Sequence, residues 1–196
     1  FAMTADAMAE VASFHFDMDS SLSIESEGTS FDIPITMQGD YLAPDRSQGS
    51  VSLSIVFFTI ESQFITIGDT TYVTDPDTGE WSIGQAPDLL FADPRDFADP
   101  DFLKNTDDFA ELALIGAELL DGVEAYHITG IVVDEGSDGE FAIDIWIGVE
   151  DNLISQVILS GAFQVDEGEA DTGDLLGDLG SGDAMFEATL TFSAYD

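Results

Sequence analysis

Few residues in this chain have the type and spacing that chemistry requires. Its two histidines, His15 and His127, are far apart in sequence, and each stands on the polar side of an alternating segment. A metal or catalytic pair must converge, so both read as surface or hydrogen-bonded structural histidines. Two acidic stretches come nearer to ligand geometry. Asp75-Pro76-Asp77-Thr78-Gly79-Glu80 and residues 171–183 offer carboxylates in turns, as a hard cation such as Ca²⁺ needs. Neither follows the EF-hand loop, and both read first as solvated acidic turns, with no specific metal site expected. The sequence holds no GxSxG elbow, no P-loop and no glycine-rich dinucleotide turn. Carboxylate pairs, the usual sign of acid/base work, are uninformative among 41 Asp+Glu. The chain reads as a non-enzyme with no catalytic residue and no cofactor.

What remains is charge and apolar pattern. With 3 Lys+Arg against 41 Asp+Glu the formal charge is -38, which excludes a general nucleic-acid binder, because phosphate contacts need cations. Anionic membrane surfaces are repelled as well unless salt or divalent ions intervene. Yet 44% of the residues are hydrophobic and 15 are Phe, so the chain folds instead of behaving as an acidic tail. Most carboxylates lack an ion-pair partner, and their repulsion is least damaging where the Debye length is short, about 3 Å at 1 M salt. A saline habitat is the natural reading, an ordinary acidic secreted surface the alternative. Without Cys there are no disulfides and no thiolate metal sites. No apolar run reaches the ~18 residues of a membrane-spanning helix. The N-terminus lacks the basic and apolar regions of a signal peptide, and a lipidated Cys would have to lie upstream of Phe1. A length of 196 residues suits a single domain, residues 1–196.

The elements follow from periodicity. Thr4–Ala12 reads as a short helix capped by Thr4, with Asp6 in its first turn. Strands follow: Ser13–Glu25 with Phe14, Phe16 and Met18 on one side, then Phe31–Tyr41 with Ile33, Ile35 and Met37. Pro34 marks that second segment as an edge or bulge, since it cannot donate to a ladder. Leu53, Ile55 and Phe57 align on a third strand, and Gly68-Asp69 turns a further hairpin. Residues 86–109 lose the alternation, and Asp93-Pro94 and Asp99-Pro100 start short helices carrying Phe91, Phe97 and Phe102. Two hairpins then span Leu112–Leu159. Asp121-Gly122 turns the first, and Glu150-Asp151-Asn152 turns the second after the alternating Phe141, Ile143, Ile145, Ile147 and Val149. Residues 166–183 read as a Gly- and Asp-rich loop insertion, and Met185–Tyr195 as a last strand. The sum is α+β: a strongly curved antiparallel half-barrel of nine or ten strands, with short helices covering its open, concave side.

These residues resemble the mycobacterial lipoprotein family typified by LppX and LprG, which is similar in fold to the LolA and LolB carriers. The resemblance rests on the opening helix before Ser13-Phe14-His15-Phe16, on Gly68-Asp69-Thr70-Thr71-Tyr72-Val73, and on Trp81 after a turn. It continues through Gly116-Ala117-Glu118, Asp121-Gly122-Val123, His127-Ile128-Thr129-Gly130 and Ile145-Trp146-Ile147 before Asn152-Leu153-Ile154, covering about residues 4–163. It implies an apolar cavity that takes lipid acyl chains, in a protein on the outer face of the cell membrane, anchored through an upstream lipid or secreted. The acidity and the 166–183 insertion depart from the family. The apolar face of Phe14, Phe16, Met18, Ile33, Ile35, Met37, Leu53, Ile55 and Phe57, with Phe91, Phe102, Ile143 and Ile145, then lines the cavity. Read without the resemblance, the same face packs under the middle helices as ordinary core. The two readings are a lipid carrier and an acidic, salt-adapted structural or protein-interaction module with a filled core.

Overall fold

Period-two alternation makes most of this chain strand, because side chains at i and i+2 share a face and a sheet gives that face one common interior. The computed structural model describes residues 1–26, 29–55, 58–84, 95, 97, 99, 109–132, 140–165 and 182–196. A helix, α1 (Ala2–Ala9), precedes β1 (Ser13–Ser26), β2 (Thr29–Leu42), β3 (Arg46–Ile55), β4 (Phe58–Ile67), β5 (Thr70–Thr74) and β6 (Trp81–Gly84). The second half supplies β7 (Phe109–Leu120), β8 (Val123–Val132), β9 (Glu140–Gly148), β10 (Ile154–Val165) and β11 (Gly182–Ser193). All eleven lie in one curved sheet of order β6-β5-β4-β3-β2-β1-β11-β10-β9-β8-β7, each neighbouring pair antiparallel. Two meanders are thus joined by the first and last strands. β6 and β7, consecutive in the chain, form the two edges of a half-barrel that does not close among the described residues.

Turn chemistry sets the registers. Asp121 and Gly122 both take positive φ, 50° and 87°, and their two-residue turn pairs Leu120 with Val123. Gly68 at φ 56° turns β4 into β5, and Asn152 at φ 61° sits in the β9–β10 turn. Pro34 lies inside the sheet, opposite Ser21, but the pairing of β2 with β3 starts only at Ile35. Its missing N–H therefore faces no β3 partner, as an edge position allows. Helix α1 begins at Ala2 instead of Thr4: Thr4 is buried inside it and caps nothing, and its first turn holds no acid. Of the expected middle helices, Arg95, Phe97 and Asp99 are described, and Phe109 already belongs to β7. Of the expected 166–183 loop, Gly182 and Asp183 belong to β11 and the rest lies outside the described residues.

One face of the sheet carries the core. Ile24, Ile35, Ile145, Val157 and Leu190 are buried there under Ala5 and Met8 of α1 and the ring of Phe97, which meets Phe192 at 5.3 Å. Each large aliphatic or aromatic side chain so buried contributes roughly 1.5–3 kcal/mol. Phe14 closes one end, 4.7 Å from Tyr41 and 5.5 Å from Phe192. Beside it Ala12 N–H donates to the Asp196 carbonyl at 2.6 Å, and the Tyr195 hydroxyl donates to the Ile154 carbonyl. Burial pushes the Tyr195 phenol far up, so it stays a neutral donor. In the row Phe16, Gly39, Gly49, Phe64 the two rings lie over the two glycines. A Cβ on Gly39 would stand 2.7 Å from Phe16 Cζ, and one on Gly49 2.9 Å from Phe64 Cε1. Glycine is required there by close approach, not by φ.

Candidate functional site

Register extends the inner face from residue to residue. Val51 pairs with Met37, Met37 with Met18, Met18 with Leu190 and Leu190 with Val157. From there Val157 pairs with Ile145, Ile145 with Ile128 and Ile128 with Leu114. An unbroken apolar row thus crosses the sheet from β3 to β7. Of the residues expected to line a cavity, Phe14, Phe16, Met18, Ile33, Ile35, Leu53, Ile143 and Ile145 are buried in this one cluster. Met37 and Ile55 pack against it partly buried, and Phe57, Phe91 and Phe102 lie outside the described residues. The burial is nearly complete: Phe14, Phe16 and Ile145 are 1% exposed. In this state the inner face of the central strands is buried, while Leu114 at the β7 end of the row is 64% exposed.

The histidines stand apart on the outer face, on β1 and on β8 with three strands between. His15 Nδ1 meets Asp40 Oδ1 at 2.8 Å across β1–β2, and its Nε2 lies 3.4 Å from Asp17. The hydrogen bond to Asp40 holds its pKa above the ordinary value, against partial desolvation. His127 Nε2 meets Asp144 Oδ1 at 2.7 Å, and its ring stacks on Trp146 with centroids 4.3 Å apart. Trp146 Nε1–H donates to Glu118 Oε1 at 2.7 Å, and the same oxygen lies 3.3 Å from His127 Nδ1. Both histidines are hydrogen-bonded structural groups, as their place on the polar alternation predicts. In the 75–80 turn, Asp75 Oδ1 accepts from Asp77 N–H, Thr78 N–H and the Thr78 hydroxyl. Those bonds lower the pKa of Asp75 and commit the carboxylate to its own turn. Among the described residues no group of three or more His, Asp or Glu is placed to hold a metal ion. A groove of about 820 Å³ on the outer side is lined by Asp17, Gln38, Ser50, Glu61, Asp75 and Trp81, a polar surface unsuited to acyl chains.

The geometry therefore offers one large apolar surface, the concave side of an open eleven-stranded sheet, with a helix across it. Solved structures share the architecture. The fold is that of LppX and LprF. The lipoprotein LppX of Mycobacterium tuberculosis matches at TM-score 0.50 and 16% identity, over 98% of this chain and 91% of its own. LprF from Mycobacterium bovis matches at TM-score 0.52 and 13% identity, over 99% and 90%. At TM-score 0.36 a LolA-superfamily protein from Nitrosomonas europaea also matches, at 10% identity over 98% and 91%. No protein-family model and no curated protein matches the sequence.

Two groups escape a reading of the sequence alone. The Glu118–Trp146–His127–Asp144 cluster joins β7, β8 and β9 on the outer face, and only the register brings its members together. The inward residues of β7 are hidden by two register shifts, between Ala110 and Ala113 and between Leu114 and Gly116. A bulge flips the parity of everything beyond it, so simple alternation misassigns the strand.

Proposed function

We propose that this protein binds and carries lipid acyl chains without catalysing a reaction, on the extracytoplasmic side of the cell, either held to the membrane by an upstream lipid anchor or secreted. The observation that carries this is the apolar row from Val51 to Leu114, which runs unbroken across eight strands. The fold shared with LppX, a lipoprotein, supports it. Acyl chains entering this interior would gain roughly 0.8 kcal/mol per buried CH₂. The ligand surface consists of Phe14, Phe16, Met18, Ile33, Ile35, Met37, Leu53, Ile55, Ile143 and Ile145, together with Phe57, Phe91 and Phe102. Met18 and Met37 suit it because three soft torsions let methionine fit chains of differing shape. The near-complete burial of Phe14, Phe16 and Ile145 means that uptake displaces side chains packed in the closed state.

The same burial favours a second reading, a filled core in an interaction module that acts through its acidic face. Solvent extraction and mass spectrometry of the purified protein, with uptake of a fluorescent fatty acid, separate the two. Co-purified lipid or saturable uptake is expected; neither appearing establishes the filled core. Ile35→Trp adds a test at one residue. In a ligand cavity it blocks uptake with little change in melting temperature, whereas in a filled core it costs about 1–3 kcal/mol through overpacking.

A further inference from the structure

The two open edges of the half-barrel are not equivalent. On the β6 side the inner face turns polar or small toward the edge, where Val51 pairs with Ser62, Val73 with Ser82 and Thr71 with Gly84, and its exposed apolar residue, Phe58, stands on β4, opposite Ile55. Tyr72 and Ile83, both exposed, pair with each other on the outer face, where Trp81 and Ile65 are exposed as well. On the β7 side the inner face stays apolar to the edge. Leu114, opposite the inward Ile128, is 64% exposed, and Leu119, opposite Glu124 on the same face as Tyr126, is 73% exposed. Tyr126 pairs with the buried Ile147 and is itself 39% exposed. The apolar interior therefore reaches solvent along β7, past the start of the strand, where Phe109 is stacked on Phe1 ahead of α1.

β7 is also suited to give way. It is an edge, its pairing to β8 slips twice, and it holds Glu111 at φ 55°. Each bulge removes ladder hydrogen bonds, and edge strands open at low free energy.

Building on the acyl-binding reading, we propose that acyl chains enter the interior past the β7 edge, with Leu114, Leu119 and Tyr126 as the first apolar surface they meet. Charge narrows the occupant. At -38, a second copy of the chain and an anionic surface are both repelled at low ionic strength, while an uncharged hydrocarbon chain is repelled at none. The hairpin itself carries Glu111, Glu118, Asp121 and Glu124 and no Lys or Arg, so what docks there is hydrocarbon and not an anionic headgroup.

The test follows uptake of a fluorescently labelled palmitate in stopped flow, at about 1 M KCl to screen the charge. Leu114→Glu/Leu119→Glu is compared with Ile83→Glu, an equally exposed site on the opposite edge, and melting temperatures confirm that all three proteins are folded. The double variant is expected to take up the probe at least tenfold more slowly, and Ile83→Glu at the wild-type rate. Equal rates in the three proteins overturn the β7 route while leaving acyl binding intact. No uptake by the wild type overturns acyl binding itself and this route with it. Sedimentation covers the remaining occupant: a wild-type dimer that the double variant converts to monomer, with unchanged uptake, assigns the hairpin to self-association and refutes the route.

Discussion

Phe16 and Phe64 show how single residues shape the inner face. Their rings lie over Gly39 and Gly49, where even a methyl group meets the Gln48 or Gln38 carbonyl as well as the ring. Gly39→Ala is expected to cost about 1–3 kcal/mol by overpacking, read as a lower urea midpoint at unchanged m value. His15 gives the second prediction at this scale. Its folded pKa is raised, chiefly by Asp40, so the stability it contributes is complete below the ordinary value of 6.5 and lost as pH rises through the folded value. The pair is over a third exposed, so solvent screening keeps the effect well under about 1 kcal/mol. Replacing His15 by Gln should flatten that decline in the melting temperature above pH 6.5. A wild-type protein equally stable on both sides of that range would contradict it.

At the scale of elements, what could be read from the chain was what local chemistry dictates. Asp121-Gly122 demands a two-residue turn, and the hairpin it makes is β7–β8. The alternation of Phe141, Ile143, Ile145 and Ile147 becomes the buried side of β9. Helix α1 runs Ala2–Ala9, not Thr4–Ala12, because Thr4 satisfies a capping pattern while its side chain is drawn into the core. Non-local geometry was illegible. The pairing of β1 with β11 joins the two ends of the chain, and nothing near Phe16 announces Phe192 as its partner. Nor does spacing reveal that Glu118 reaches Trp146. That bond fastens the irregular edge to the sheet from outside. Glu118→Ala should cost about 1 kcal/mol, at the low end for a charged acceptor because Glu118 is half exposed. Hydrogen exchange should locate the loss: amides of β7 exchange faster, those of β1 and β11 unchanged. Uniform acceleration across the sheet would mean that β7 does not open independently.

Over the whole molecule the dominant unbalanced term is charge. The apolar terms above are local and nearly independent of salt, but 41 acids against 3 bases act together on every conformation compact enough to bring them close. The two described histidine clusters set carboxylates against the same ring, Asp17 with Asp40 and Glu118 with Asp144, which offsets only a little of that repulsion. Unfolding spaces the charges out, so at low ionic strength repulsion favours the unfolded chain. Raising salt from 0.1 M to 1 M shortens the Debye length from about 10 Å to about 3 Å and removes most of the penalty. The melting temperature should therefore climb steeply over that interval. KCl and NaCl should act alike if screening is the cause, whereas a chaotropic salt of equal ionic strength should stabilise less, because it weakens apolar burial while it screens. A melting temperature independent of salt would show that the carboxylates are spaced too widely to repel one another, and that an ordinary acidic surface, not adaptation to brine, explains the composition.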